Sequence, residues 1–378
     1  MFLAKAQESP EKPAVIMGRS GHVTTYGELD ARSNQGAHLL RSLGLKPGDA
    51  VAFCLPNCPE LFEVAWGALR AGLTVVPISS LLTAKEIAYI LDNSDAKAFI
   101  TSSGIGDAFA NIPDTIQRLE LFAVGEEHNG YRSWDNECNA QSDKVITDES
   151  VGSIMLYSSG TTGRPKGIRW DGESDAPDSD SLLTASVRNF GLDDTSVYLS
   201  PAPLYHSAPF RTSIGVTSIG GTVVVMEKFD AELALQLIEK YRVTTSQWVP
   251  THFVRLIKLP EDVRKSYDVS SMKLALHAAA PCPVPVKHAM IDWFGPIIFE
   301  YFGSTEQGAV TYITSEEWLE HPGSVGKPRN AKIHICDEDG SPLPSGTPGL
   351  IYMEGAQKFI YHNDPDKTAA SVNRHGWT

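Results

Sequence analysis

Between Tyr157 and Gly167 the chain concentrates groups that could hold an anion: Tyr157-Ser158-Ser159-Gly160-Thr161-Thr162-Gly163-Arg164-Pro165-Lys166-Gly167. Glycines let backbone N–H groups turn toward a ligand, hydroxyls add donors, and the lysine adds a mobile positive charge. The apolar run Ile154-Met155-Leu156-Tyr157 reads as a short strand feeding this loop. The composition suits a phosphate cradle, but the Walker pattern G-x-x-x-x-G-K-[ST] fails. Pro165 occupies the position of its second glycine, and Gly167 stands where the magnesium hydroxyl belongs. The plain alternative is a polar surface turn.

Three further stretches carry side chains that could do chemistry. In Pro203-Leu204-Tyr205-His206-Ser207-Ala208-Pro209-Phe210, a histidine among aromatics could gate a pocket or move protons. It could equally be a packed histidine satisfied by backbone. In Leu276-His277-Ala278-Ala279-Ala280-Pro281, small residues at a strand's C-terminal end would let a flat ligand approach the backbone, although tight helix packing would also explain them. Tyr301-Phe302-Gly303-Ser304-Thr305-Glu306 combines rings for stacking, a hydroxyl for a phosphate oxygen and a carboxylate for Mg²⁺. Alone it could be an ordinary strand exit with Glu306 capping a helix.

These stretches need a scaffold, and the chain is long enough to supply one. It has 378 residues, of which 42% are hydrophobic, enough for a sizeable core divided into two or three lobes. A formal net charge of −14 and a pI near 5.2 argue against nucleic acid as the main partner. No apolar run approaches a membrane span, and the start is too short for a signal peptide. The five cysteines, Cys54, Cys58, Cys138, Cys282 and Cys336, are scattered without zinc-site spacing. Cys54 and Cys58 are read as buried thiols, and the whole as a soluble protein of a reducing compartment, the cytoplasm.

Strands and helices alternate through most of the length. Capping boxes at Thr25–Glu28 and Thr83–Glu86 open two helices, the first ended by Gly44 and the second near Asn93. A third helix spans Pro59–Ala71. Strands are expected at Asp49–Leu55, Thr74–Pro77 and Ala98–Thr101. The rhythm resumes with strands Thr222–Met226, Thr244–Val249, Lys273–Ala278 and Ile297–Tyr301, the last of the series, and with helices Ala231–Tyr241 and Val286–Phe294. The fold class is α/β: two α/β lobes with largely parallel sheets, over about 1–150 and 151–322. A small β-rich lobe follows over 323–378, with strands Lys332–Cys336 and Leu350–Met353 about a turn at Asp337–Gly340. The acidic stretch Asp171–Asp180 reads as a mobile loop, since its spacing matches no calcium loop.

Taken together and in order, these motifs closely resemble the adenylate-forming superfamily of acyl-CoA synthetases, luciferases and peptide-synthetase adenylation domains. Ser158–Gly167 matches its loop [ST]-[ST]-G-[ST]-T-G-x-P-K-G throughout, and Phe302–Glu306 matches its aromatic-G-x-T-E. Weaker likenesses are Thr25-Tyr26-Gly27-Glu28-Leu29, Leu69-Arg70-Ala71-Gly72-Leu73, Ala278-Ala279-Ala280-Pro281 and Gly323-Ser324-Val325-Gly326-Lys327-Pro328. The resemblance covers nearly all of the chain and implies ATP, Mg²⁺ and CoA as reaction partners of a small carboxylic acid. The acid would attack the α-phosphate to give acyl-adenylate and pyrophosphate, and a thiol would then displace AMP. Ser158, Ser159, Thr161, Thr162 and Lys166, with Gly160 and Gly163 between them, would cradle the β- and γ-phosphates. Phe302 would stack on adenine beside the Ala278–Ala280 backbone, with Tyr301, Gly303 and Ser304 adjoining. Thr305 would contact the α-phosphate and Glu306 would hold Mg²⁺. Thr161, Lys166, His206, Thr305 and Glu306 are the implied catalytic set.

Amino-acid-activating members place an aspartate near the His206 stretch, and none stands here. The stretch is more similar to acyl-CoA synthetases, whose matching histidine borders the acyl pocket and the thioester tunnel. Phe210, Trp248, His277 and Gly326 are the expected acyl-pocket lining, with the His277 ring shortening the pocket in favour of aromatic or medium acids. An amino-acid adenylating domain is the alternative within the family; a truncated acyl-adenylate-binding protein without catalysis is the alternative outside enzymes. The family continues beyond Gly376-Trp377 into a ribose-binding aspartate and a small domain bearing the adenylation lysine. The chain is accordingly read as the large N-terminal domain alone, with weak nucleotide binding and little turnover.

Overall fold

The computed structural model describes residues 4–105, 112, 118–125, 130–158, 164–170, 182–306, 308–329 and 331–378. The loop residues Ser159, Gly160, Thr161, Thr162 and Gly163 and the acidic stretch Asp171–Asp180 lie outside the described residues.

The alternating apolar runs build two large sheets. One has six strands in the order Arg132–Ser133, Glu120–Val124, Ala96–Ser102, Ala50–Cys54, Thr74–Pro77 and Ser153–Ile154, every pairing parallel. The other has nine, in the order Lys327–Pro328, Gly308–Ile313, Ile298–Ser304, Leu274–His277, Thr245–Trp248, Val197–Ser200, Thr222–Val225, Pro13–Met17 and Val23–Thr25. Its middle is parallel, and antiparallel strands close both edges. Burial on both faces is normal for parallel strands, and Ala50–Cys54, Thr74–Pro77 and Thr222–Val225 are buried along their whole length.

Both anticipated capping boxes form. Thr25 and Thr83 accept from the N–H groups of Glu28 and Glu86, whose carboxylates reach back to the cap N–H groups. The helices Tyr26–Ser42 and Pro59–Arg70 pack so closely that a Cβ on Gly67 would lie 3.3 Å from the Gly36 Cα, which explains a glycine in mid-helix.

Three organisational expectations change. The sheets do not divide near residue 150, because Pro13–Met17 pairs in parallel with Thr222–Val225 and so belongs to the nine-stranded sheet. The stretch after 323 is not a separate β lobe either. Lys332–Cys336 and Leu350–Glu354 form their own antiparallel pair, but Lys327–Pro328 edges the large sheet and Phe359–Tyr361 joins a three-stranded sheet with Lys166–Trp170 and Leu156–Ser158. Ile298–Ser304 is also not the last strand of its series. A register shift at Phe302/Gly303 and a left-handed Gly308 (φ 66°) return the chain as Gly308–Ile313.

Candidate active site

The strands on either side of the candidate anion-binding stretch pair antiparallel. Lys166 pairs with Ser158, Gly167 with Tyr157 and Ile168 with Leu156, so the two ends of the loop are held side by side. Gly167 is required because the Tyr157 ring lies over it, 2.9 Å from where a Cβ would stand. Tyr157 in turn donates from its hydroxyl to Asn93 Oδ1 at 2.7 Å.

Lys166 and Glu306 are brought together by a residue that the sequence did not single out. The Lys166 Nζ lies 5.2 Å from the centre of the Tyr361 ring, and the Tyr361 hydroxyl donates to Glu306 Oε1 at 3.1 Å. Partial burial and the neighbouring Lys367 ammonium lower the pKa of Lys166. An anion placed there would offset both effects. Burial, with the Glu306 carboxylate second, pushes the Tyr361 phenol up to about 12. Trp170 fixes the backbone at the same point, its indole Nε1–H donating to the Glu306 carbonyl at 2.9 Å. Among the described residues no group of three His, Cys, Asp or Glu side chains could hold a metal. Glu306 would offer Mg²⁺ a carboxylate, which suits an ion bound mostly through substrate phosphates and water.

Two cavities meet at His206. The first, about 530 Å³, is lined by Ser158 and Pro165 of the candidate anion-binding stretch, by Ser79 and Leu81, and by Tyr205, His206, Ser207 and Thr305. The second, about 420 Å³, shares His206, Ser207 and Thr305 and continues past Ala278, Ala279, Gly303 and Ser304 to Phe190, Arg211, Thr212, Gln247, Trp248 and Tyr301. It opens at the C-terminal ends of parallel strands, where ligands of open α/β sheets bind. His206 is the N-cap residue of helix Ser207–Ser218 and packs against the Tyr205 ring at 4.5 Å. Burial lowers its pKa, which keeps the imidazole neutral at pH 7. Ala279 has φ 74°, a left-handed conformation that costs a residue with a Cβ about 1 kcal/mol or more.

The structure therefore gathers Ser158, Lys166, His206, Thr305 and Glu306, and it places Ala278, Ala279, Tyr301, Gly303, Ser304 and Trp248 around the second cavity. Other expected residues lie elsewhere. Ala280 is exposed and, like Phe302, lines neither of these cavities. Phe210 is fully buried in the core with its ring 5.8 Å from that of Phe53. His277 is fully buried against Phe253 and Glu300 and borders neither cavity, which corrects the expectation that its ring shortens the pocket. Gly326, at φ 89°, sits where a Cβ would run into the Tyr312 carbonyl, so its glycine serves the backbone and not a pocket wall.

Sequence reasoning missed Tyr361, Trp170, Lys367, Arg211 and Gln247. Gln247 left a signal: a bulky polar residue in an otherwise buried strand, Thr245–Trp248. Tyr361 left none, because it reaches the site only through pairing of Ile168 with Tyr361 across the three-stranded sheet.

Comparison with known proteins agrees with this geometry. A family model described as AMP-binding enzyme matches residues 2–359. A 4-coumarate–CoA ligase of Pinus taeda is 28% identical over 387 residues, an alignment covering 99% of this chain and 71% of that protein. The 4-coumarate:CoA ligase 1 of Petunia hybrida is 29% identical, with 98% and 70% covered. Among solved structures, the inhibitor-bound N-terminal domain of FACL13 from Mycobacterium tuberculosis superposes with a TM-score of 0.82 at 26% identity, covering 99% of this chain and 92% of that one. The anthranilate CoA ligase AuaEII in complex with anthranoyl-AMP shares the fold, with a TM-score of 0.81 at 22% identity over 98% of this chain and 75% of that one.

Proposed function

The chain belongs to the AMP-binding enzyme family, and from that premise we propose that it activates a small carboxylic acid, aromatic or of medium length, as its adenylate for transfer to the thiol of CoA. The observation that carries this reading is the pair of cavities meeting at His206 and Thr305, one reaching the Ser158–Lys166 strand pairing and the other closed by aromatic and small side chains. The stretch between Ser158 and Lys166 suits the polyphosphate of ATP, and the second cavity suits the acid. No carboxylate lines the second cavity among the described residues, which supports a simple acid over an amino acid whose ammonium would need a partner. The names of the CoA ligases to which the chain is similar support the same choice.

A carboxylate oxygen attacks the α-phosphorus, the new C–O–P link forms, and the bond to the β-phosphate breaks with its electron pair leaving on pyrophosphate. No general base is needed, because the nucleophile is already ionised. Negative charge grows on the phosphate oxygens, so the Thr305 hydroxyl and the Lys166 ammonium act by standing ready to meet it. Glu306 would hold Mg²⁺, which neutralises phosphate charge when bound. The neutral His206, at the junction, borders both the acid and the path of an incoming thiol. The five cysteines are free thiols, which supports a reducing compartment such as the cytoplasm.

Calorimetric titration with non-hydrolysable 5′-O-(N-acyl)sulfamoyladenosines tests the reading. We expect a benzoyl analogue to bind the chain, and a phenylalanyl analogue bearing an ammonium to bind at least roughly tenfold more weakly. Equal or tighter binding of the aminoacyl compound would reverse the assignment of substrate class.

A further inference from the structure

We propose that Tyr301 and Gln247 turn one wall of the second cavity into a hydrogen-bond donor, so that the preferred acid carries an oxygen acceptor on its tail. The inference rests on the acyl-adenylate reading and specifies the acid within it.

Gln247 is only 8% exposed, and its amide is held on both sides. Its Oε1 accepts from the Thr212 hydroxyl at 3.3 Å and from the Tyr198 hydroxyl at 3.4 Å. Its Nε2 donates to the Tyr301 hydroxyl oxygen at 2.5 Å. A phenol has one proton to give and lone pairs to receive. Here a lone pair is taken by the amide, while the proton has no acceptor among the described residues. The ring that carries it cannot easily turn away, because it packs against Phe190 with centroids 6.0 Å apart. Burial raises the phenol's pKa, so the proton stays in place across the physiological range.

The rest of the wall sharpens the preference. Phe190, Trp248 and Ala278 present apolar surface that suits a ring or a short chain. Arg211 is the one formally charged side chain among the described lining residues, and its guanidinium lies over the Trp170 ring at 4.3 Å. Guanidinium and phenol are both donors, and the described lining residues include no carboxylate. A tail that ends in a carbonyl or similar oxygen satisfies Tyr301. An alkyl tail of the same shape strands its proton in a dry site, and sites built to donate discriminate strongly against analogues that cannot accept.

The test uses the 378-residue chain and near-isosteric sulfamoyladenosines: 3- and 4-acetylbenzoyl against 3- and 4-isopropylbenzoyl. The acetyl group accepts and cannot donate from oxygen; isopropyl does neither. We expect one acetyl analogue to bind the wild-type chain roughly three- to tenfold more tightly than its isopropyl counterpart. Tyr301→Phe keeps the ring and removes the proton, and it should bring the ratio to near one by weakening the acetyl compound. Gln247→Met, which frees the phenol from its clamp, should reduce the ratio as well, with thermal melting confirming that each variant is folded. Equal binding of the wild-type pairs, or a preference that survives Tyr301→Phe, would overturn the inference alone. Failure of every analogue to bind the wild-type chain would instead overturn the acyl-adenylate reading beneath it.

Discussion

His277 shows how one buried side chain can shape the behaviour of the molecule without touching substrate. The Lys287 Nζ sits 2.5 Å from Glu300 Oε2 in a buried ion pair, and the His277 Nε2 is 3.5 Å from the same oxygen. Neither ring nitrogen makes a hydrogen bond among the described residues. The nearby carboxylate would be expected to favour the imidazolium, but its charge is already matched by Lys287. Burial therefore dominates, with Lys287 repulsion second, and the pKa falls to about 3. In the unfolded chain the same imidazole takes up a proton near pH 6.5. Between pH 6.5 and about 3 the unfolded state thus binds more protons, so stability rises with pH through that window and is lost on acidification. His252, lowered to about 4 by burial and then Arg255, adds a similar contribution over a narrower range. Urea unfolding at pH 4.5, 5.5 and 6.5 should show that His277→Asn flattens the acid slope by about 1.4 kcal/mol per pH unit. An unchanged slope would mean that the native imidazole protonates normally.

At the scale of elements, the short strand Lys166–Trp170 joins the site together. It begins at the loop lysine, crosses Tyr361's strand in the middle, and ends at the indole that fixes Glu306. Trp170→Phe leaves a smaller aromatic ring beneath Arg211 and removes the N–H donor. Because Glu306 would serve the metal and polyphosphate, we expect MgATP to bind roughly three- to tenfold more weakly. AMP, which lacks that polyphosphate, should change by less than about twofold; equal losses for both nucleotides would count against this role for the strand. Much of the surrounding architecture was legible in the chain because its causes are local. The Thr25 and Thr83 capping boxes, the helix Ala231–Tyr241 and the strand Thr74–Pro77 form as read. The ends of the candidate anion-binding stretch and the Thr305-Glu306 pair were legible because their chemistry is carried by residue type. Which face a residue shows was not. A parallel strand such as Leu274–His277 is buried on both sides and carries no polar–apolar alternation, so nothing in it said that His277 points away from the cavity. Phe210 was misplaced for a related reason, since the helix Ser207–Ser218 is buried on more than one side. Partners distant in sequence, Tyr361 above all, enter only when the strands have paired.

At the scale of the whole molecule, buried hydrogen bonds tie together segments far apart in the sequence, some of them from different sheets, and the ties differ in what they hold. The Tyr26 hydroxyl, fully buried at the start of helix Tyr26–Ser42, meets the carbonyls of Thr217 at 3.0 Å and Gly221 at 2.7 Å. The Trp66 Nε1–H donates to Thr217 Oγ1 at 3.0 Å close by. Asn57, which follows the strand Ala50–Cys54 of the six-stranded sheet, reaches into the connection that leads to His206. Its Nδ2 donates to the carbonyls of Ala202 at 3.1 Å and Met226 at 2.8 Å, and its Oδ1 accepts from the Leu204 N–H at 2.8 Å. With the N-terminal strand already inside the nine-stranded sheet, neither sheet can open without exposing the other's core. Unfolding should therefore follow one cooperative transition, and two resolved calorimetric peaks would contradict this. The two ties should separate stability from function. Tyr26→Phe removes a buried donor remote from the cavities and should cost about 1–3 kcal/mol while leaving analogue affinity within about twofold. Asn57→Ala strands two carbonyls and an N–H beside the His206 segment, so it should lower stability by a comparable amount and also weaken acyl-sulfamoyladenosine binding by roughly tenfold. If both variants lost affinity equally, the contact near His206 would be no more than another structural tie. If Asn57→Ala alone loses affinity, the six-stranded sheet helps to set the position of the residue at which the two cavities meet.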